Sequence, residues 1–487
     1  MTLLYSTILF LSKEAFDRAC LSRQDHRDWR QIVNLLWCTV PLASLCASAL
    51  GLVWIYLLDQ PVDPYYISGV VCFAVATIIE VLAEPLFVVG QAFLFVKLKV
   101  FILGISQGIK CVIIVIFVLW KPHWGIHGFA IAQIVSSIAY TLMYHGYFIL
   151  YINSKKKDDN FPLHSVRDLY PQRIKDKYFI DTELANLTWS FFQQSFFKQI
   201  LTEGEKYVMT FFDVLSYGDQ GIYDIINNLG SLAARLIFLN IEESSFLYFS
   251  QTLTRGLSRD KQDAASVRQS SLVLGILLKA VTLMGAIILV FGFANSELAL
   301  HLYGGAILSE GSGPTLLRWY CLYVLFIAIN GTSEAFVFAA MSKTDVDKYN
   351  RKMLLFSVIF LFSSWLLTQW LGSVGFILAN CLNMAARIVH SLIFIHNYFK
   401  GFENQPLHNV IPAVPVLFVL LVALLVTAGS EITLCVGGSA IYQLAHIFVS
   451  AVCLLVVITV IYFSEKELLT TMKGFLSHKG QVKKKTL

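Results

Sequence analysis

The chain has 487 residues, 56 % of them hydrophobic and 14 % charged, with a formal net charge of +5 and a mean hydropathy of +0.66. This balance excludes a soluble globular domain and predicts an all-α polytopic membrane protein, because each crossing needs about 20 mainly apolar residues. The nine cysteines are scattered without a C-x-x-C pair, so neither a disulfide framework nor a zinc site is expected.

About thirteen spans are predicted in chain order, near 1–20, 31–58, 65–95, 100–120, 124–152, 188–213, 221–250, 270–293, 314–340, 352–371, 374–399, 410–429 and 440–463. The first carries Lys13, Glu14, Asp17 and Arg18 and has no small-residue cleavage site, so it reads as a span and not as a removable signal. Thr7, Glu14 and Arg18 share one of its faces. In the third, Glu80 and Glu84 precede Pro85, which suggests either a functional kink or carboxylates snorkelling from a helix end.

The sixth and seventh segments are the most informative. On a helix at about 100° per residue, Asp224, Asn228, Ser231, Arg235 and Glu242 fall at i, i+4, i+7, i+11 and i+18, forming one stripe. Gln194, Lys198, Thr202 and Glu205 form another. A charge near the bilayer centre costs roughly 2.5 to 3.5 kcal/mol, so two such stripes suggest a wet cavity between helices. Arg18, Lys198, Lys206 and Arg235 are the candidates to meet an anionic ligand, a phosphate or diphosphate. Glu14, Glu205 and Glu242 are their partners, gates or sugar contacts. Asp224, Glu84, Arg318 and Arg387 are secondary candidates. The alternative is that these charges pair with one another and lock the bundle. Gly218, Gly221 and Gly230 could act as hinges, though close helix packing is the commoner use of small residues. His301 and His396 show no ligand spacing, and no metal or cofactor is expected.

Loop charges set the orientation. The connections at 21–30, 97–99, 153–187, 251–268, 341–352 and 400–409, with the tail from 464, hold 27 lysines and arginines, whereas the alternate connections hold only Lys121. The positive-inside rule places the first set, including the C-terminus, in the cytosol. The sequons Asn186-Leu187-Thr188 and Asn330-Gly331-Thr332 then lie at a cytosolic boundary and inside a span, so neither is expected to be glycosylated. The ending Lys484-Lys485-Thr486-Leu487 reads either as a dilysine retrieval signal of the endoplasmic reticulum or as an ordinary basic tail.

Three sequence matches suggest duplicated halves. Ile8–Glu14 resembles Leu236–Glu242, Glu84–Val88 resembles Glu334–Phe338, and Gly128–Gln133 resembles Gly375–Asn380. The expected organisation is an N-terminal lobe at 1–152, a cytosolic linker at 153–187, a C-terminal lobe at 188–400, two extra helices at 401–463 and a basic tail at 464–487. The first lobe then has five spans against six, as in a chain lacking an N-terminal helix. An even repeat unit keeps its orientation, so the halves are expected to be parallel repeats. No phosphate loop, H-E-x-x-H, G-x-S-x-G or dinucleotide fingerprint is present, so no enzyme activity is expected. The basic loops need no nucleic acid to explain them.

The run Leu187–Tyr207, followed by Gly218–Asp224 and Ile241-Glu242-Glu243-Ser244, resembles the eukaryotic Rft family of oligosaccharide-lipid translocation proteins. So do Gly311–Pro314, Asn330–Glu334 and Gly372–Asn380. The resemblance spans essentially the whole chain. It implies a member of the superfamily of multidrug exporters and lipid-linked-sugar flippases: two six-helix lobes, two extra helices, and a basic cavity between lobes open to each side in turn. It further implies a dolichol-diphosphate-linked, mannose-rich heptasaccharide as cargo, flipped in the endoplasmic reticulum membrane for protein N-glycosylation, or a required role in that step. Membrane lipids and N-glycosylation enzymes are the other implied partners. Two rivals stand beside this reading: a non-transporting scaffold, and a cation or drug antiporter using Glu14, Glu84 and Glu242. An absent first helix would remove part of one lobe, and Asp17 beside Arg18 would weaken anion attraction there.

Overall fold

The computed structural model describes residues 1–21, 28–58, 63–93, 95–154, 161, 163–174, 178–211, 215–254, 257, 261–401, 405–434 and 440–466. Every regular element among them is helical, and the chain divides into two compact units, Met1–Phe211 and Phe212–Leu487. The dilysine ending lies outside the described residues.

In the first unit α1 (Thr2–Leu21) packs against α3 (Thr39–Tyr56), α4 (Tyr66–Val81), α5 (Glu84–Ala92) and α8 (Thr182–Thr202). Leu4, Ile8, Ala15 and Ala19 of α1 are fully or almost fully buried, the spacing that one helix face presents to its neighbours. α6 (Val96–Trp120) and α7 (Gly125–Asn153) complete the bundle, and α6 leaves most of its apolar side chains uncovered, as a lipid-facing helix does. Before α3, the short α2 (Trp29–Leu36) holds the segment that leads into α8. Asn34 donates to the carbonyls of Gln172 and Phe179 and accepts from the Gln172 N–H at 2.9 Å.

α4 and α5 together are long and apolar enough to cross a membrane and are bent by 42° at the break between them. Pro85 sits in the first turn of α5, where its missing N–H costs nothing. Thr141 of α7 donates at 2.7 Å to the Ile79 carbonyl near the break. Of the two readings of Glu80-x-x-x-Glu84-Pro85, the structure therefore gives the kink.

The helix pair α8 and α9 (Gly204–Phe211), assigned from the sequence to a C-terminal lobe beginning at 188, packs within the first unit. Leu184 joins Phe16, Ala19 and Leu36 in one apolar cluster, and Tyr207 lies 2.8 Å from Thr7. Burial of these faces holds the pair against α1.

In the second unit α10 (Tyr217–Ala233), a π-turn (Ala234–Phe238) and α11 (Leu239–Thr252) run as one span, followed by α12 (Ala264–Ala294) and the short α13 (Ser296–Gly304) and α14 (Ala306–Ser309). α15 (Gly313–Ala340) is central, packing on α10, α11, α12 and α17 (Ser373–Tyr398), while α16 (Lys343–Leu371) packs on α17. Phe249, Leu274, Leu278, Phe336, Ile395 and Phe399 form its fully buried apolar cluster. The hairpin of α18 (Val414–Leu434) and α19 (Ala440–Ser464) lies on α12.

Among the described residues ten helical stretches are long and apolar enough to cross a membrane, or eleven with the bent pair, where about thirteen were expected. The difference is α1 and α8. Lys13, Glu14, Asp17 and Arg18 in one, and Gln193, Gln194, Lys198 and Gln199 in the other, hold both below the apolarity of the rest.

Candidate functional site

The polar stripe of the seventh span exists, but its course differs from a uniform helix. Asp224, Asn228 and Arg235 are exposed within their own unit, while Tyr223 and Ile226 on the opposite face are buried. The π-turn inserts one extra residue, so everything after it is rotated by about 100° relative to a continuous α-helix. The buried face accordingly resumes at Phe238, Ser245 and Phe249. Glu242 moves onto that buried face, and the exposed Glu243 takes the place on the stripe that a uniform helix assigns to Glu242. Arg235, inside the π-turn, donates at 2.8 Å to the Asn228 carbonyl.

Glu242 turns toward α15, where its carboxylate faces Gly331 so closely that no Cβ fits there. One turn further along α15, Glu334 is 4 % exposed and receives the Arg387 guanidinium in two bonds, Nε to Oε1 at 2.9 Å and Nη2 to Oε2 at 2.5 Å. The Tyr349 hydroxyl donates to the same carboxylate, as does the Asn330 amide at 3.2 Å. This is a fork-to-fork pair with further donors, the geometry that offsets desolvation of buried ions. Asn330, the second sequon residue, is thus a buried structural donor. Beside the cluster lies a cavity of about 410 Å³ lined by Glu242, Glu243, Phe246, Ala335 and Phe338.

The first unit holds a second buried ionic cluster. Lys13 Nζ lies 3.3 Å from Glu84 Oε2, and Glu84 is 1 % exposed in the first turn of α5. Asp17, one turn from Lys13, is within electrostatic reach of Glu84. Tyr5 donates to Glu80, as does Ser137 at 3.2 Å, so both carboxylates of the kink face into the bundle.

The remaining sequence candidates divide by partner. Glu14 and Arg18 pair with each other one turn apart, at 2.7 Å. Lys206 pairs with Glu203 at 2.8 Å, next to a half-buried Glu205. The side chain of Lys198 lies outside what the structure describes. Arg318 pairs with Glu431 of α18 at 2.9 Å and also donates to the Phe293 carbonyl, so it fastens the terminal hairpin. Arg387 belongs to the Glu334 cluster. Sequence reasoning gave no site role to Lys13, Glu334 or Tyr349. For the first two, the signal was present in their being charges inside apolar segments.

The family model described as Rft protein matches residues 1–474. A Xenopus tropicalis protein is 48 % identical over 487 residues, covering 99 % of this chain and 90 % of its own length. A Mus musculus protein is 48 % identical over 474 residues, covering 96 % and 88 %. Both carry the name Man(5)GlcNAc(2)-PP-dolichol translocation protein RFT1. Among solved structures, the lipid II flippase MurJ in an inward closed conformation aligns with TM-score 0.60 at 13 % identity over 94 % of this chain and 93 % of its own. An inward-facing multidrug resistance MATE family transporter of the MOP superfamily aligns with TM-score 0.58 at 13 % identity over 82 % and 89 %.

Proposed function

The chain belongs to the Rft protein family, and from this we propose that it translocates the lipid-linked oligosaccharide its relatives are named for, Man5GlcNAc2-PP-dolichol, or serves as a required support of that movement. Its membrane is that of the endoplasmic reticulum, with the C-terminus in the cytosol, and its cargo leaves the cytosolic leaflet for the luminal one. Membrane lipids and enzymes of N-glycosylation are its further partners. No catalytic step is assigned to it.

One observation carries the reading. Asp224, Asn228 and Arg235 form a polar stripe that its own unit leaves exposed, on a segment apolar enough to cross a bilayer. Such exposure is costly in hydrocarbon and acceptable along a wet path. A diphosphate-sugar head needs that path, while a polyprenol tail stays in lipid. The planar Arg235 guanidinium suits a phosphate, which it can meet with two parallel bonds.

The support reading draws on a different observation. Arg18 and Lys206, both expected to meet the anion, already have carboxylate partners four and three residues before them in sequence. Purified protein in vesicles with labelled Man5GlcNAc2-PP-dolichol separates the two. Translocation that Arg235→Ala abolishes is the expected result. A protein that moves no cargo yet restores glycosylation in depleted cells leaves the support role, and an Arg235→Ala protein with full transport and binding removes the stripe from the path.

A further inference from the structure

The cavity of about 410 Å³ in the second unit has a chemistry of its own. Its volume falls in the range of roughly 300 to 1,000 Å³ typical of small-molecule sites. Glu242 and Glu243 supply carboxylates, Phe246 and Phe338 supply aromatic rings, and Ala335 supplies a small wall. Arg387, whose charge acts on Glu242, is already engaged by Glu334 through both arms of its fork.

A diphosphate does not suit such a lining. Two adjacent carboxylates repel it, and the guanidinium that could attract it is committed. A lipid tail does not suit it either, because it would strip water from the carboxylates without giving a hydrogen bond in return. An ionised carboxylate is acceptor-only, so its natural partner is a group rich in donors. Pyranose rings meet both demands. Hydroxyls on neighbouring carbons donate to the two oxygens of one carboxylate, and the C–H faces of the ring lie against aromatic side chains.

The Glu242 carboxylate lies against the bare backbone of Gly331 on α15, and the π-turn has rotated it onto this side of its helix.

We propose that this cavity binds the neutral, hydroxyl-rich sugars of the glycan, with Glu242 and Glu243 accepting from hydroxyls and Phe246 and Phe338 packing against ring faces. The proposal rests on the oligosaccharide-lipid reading above and deepens it: sugar and diphosphate are recognised at separate places, the sugar here and the phosphates elsewhere.

The test uses purified full-length protein and competition against labelled Man5GlcNAc2-PP-dolichol by three probes: free Man5GlcNAc2, inorganic pyrophosphate and tetraethylammonium. Glu243→Ala and Phe246→Ala are the variants. Both positions are exposed, so folding should survive, and thermal unfolding checks it. Free heptasaccharide should compete with wild type and lose about tenfold or more in each variant, with competition by pyrophosphate unchanged. Unchanged heptasaccharide competition in both variants overturns the subsite while leaving the translocation reading in place. Loss of pyrophosphate competition alone, or binding of tetraethylammonium that the variants abolish while the heptasaccharide is unaffected, overturns it too. Wild type that binds no lipid-linked oligosaccharide overturns the broader reading and the subsite together.

Discussion

Arg387 holds Glu334 by both arms of its guanidinium, across 53 residues of sequence and between α17 and the central helix α15 of the second unit. Because Glu334 is 4 % exposed, removing its partner leaves a buried charge uncompensated. Arg387→Ala is expected to cost about 3 to 5 kcal/mol, and Arg387→Lys to recover only part of it, since an ammonium cannot make the two parallel bonds. Adding Glu334→Gln to Arg387→Ala should restore much of the loss. Thermal unfolding of the purified variants in detergent decides this, and a double variant less stable than Arg387→Ala would contradict it.

Glu242 and Gly331 form a second coupled pair. A methyl group at 331 must displace the Glu242 carboxylate, because the side chain stands where the Cβ would go. Gly331→Ala is expected to cost about 1 kcal/mol or less, because the atom it displaces is the far end of a flexible side chain. The cost should shrink when Glu242→Ala is already present. A double-mutant cycle by thermal unfolding measures the coupling, and strict additivity would mean that the two positions do not meet.

How far the sequence reaches is clear from these residues. The spans were legible because hydrocarbon demands long apolar runs, and the stripe Asp224-Asn228-Arg235 because helical period repeats over short distances. Glu242 was misplaced by one residue because Ala234-Arg235-Leu236-Ile237-Phe238 contains no proline or glycine to announce a π-turn. The pairs Lys13–Glu84 and Glu334–Arg387 were invisible because partners distant in sequence leave no periodic trace. The docking of α8 on α1 was hidden for the same reason, and the sequence repeat pointed the other way. What could be read was that these charges sit in costly places. Which charge meets which is a property of packing.

The segment before α8 makes a pH-dependent contact. Asp168 accepts from the N–H groups of His164 and Ser165 at 2.9 Å and from the Gln172 amide at 3.0 Å, and lies 3.6 Å from Arg30 of α2. Burial pushes its carboxyl up, but the Gln172 and backbone hydrogen bonds, with Arg30, outweigh it and hold the group below the usual carboxylate range. A depressed carboxylate stabilises the docked segment at pH values above the unfolded value of about 3.9, and that contribution is lost as pH falls through the lower folded value. Protection factors for hydrogen exchange across 163–174, corrected for the slower intrinsic exchange in acid, should therefore fall on acidification. Asp168→Asn should start from faster exchange, with local stability lower by about 1 to 3 kcal/mol, and show a flatter pH response. Equal pH profiles for the two proteins would contradict the assignment.

The terminal hairpin is fastened at both ends by ion pairs of one pattern. At one end Lys279 of α12 lies 2.5 Å from Glu465, whose other oxygen accepts from the Ala413 N–H just before α18. At the other, Arg318 of α15 meets Glu431. Glu465 is 5 % exposed and the Lys279 side chain 18 %, so the lysine can reach water on losing its partner and the carboxylate cannot. Lys279→Ala should therefore destabilise more than Glu465→Ala, by up to about 3 to 5 kcal/mol, despite the additional backbone bond that the second substitution removes. Replacing both, as Lys279→Met with Glu465→Leu, should return stability close to wild type, because an apolar pair of similar volume carries no desolvation cost. Protease accessibility of the hairpin and thermal unfolding together read the order of the three variants, and a larger loss in Glu465→Ala than in Lys279→Ala would show that the Ala413 contact, and not the buried charge, governs this end.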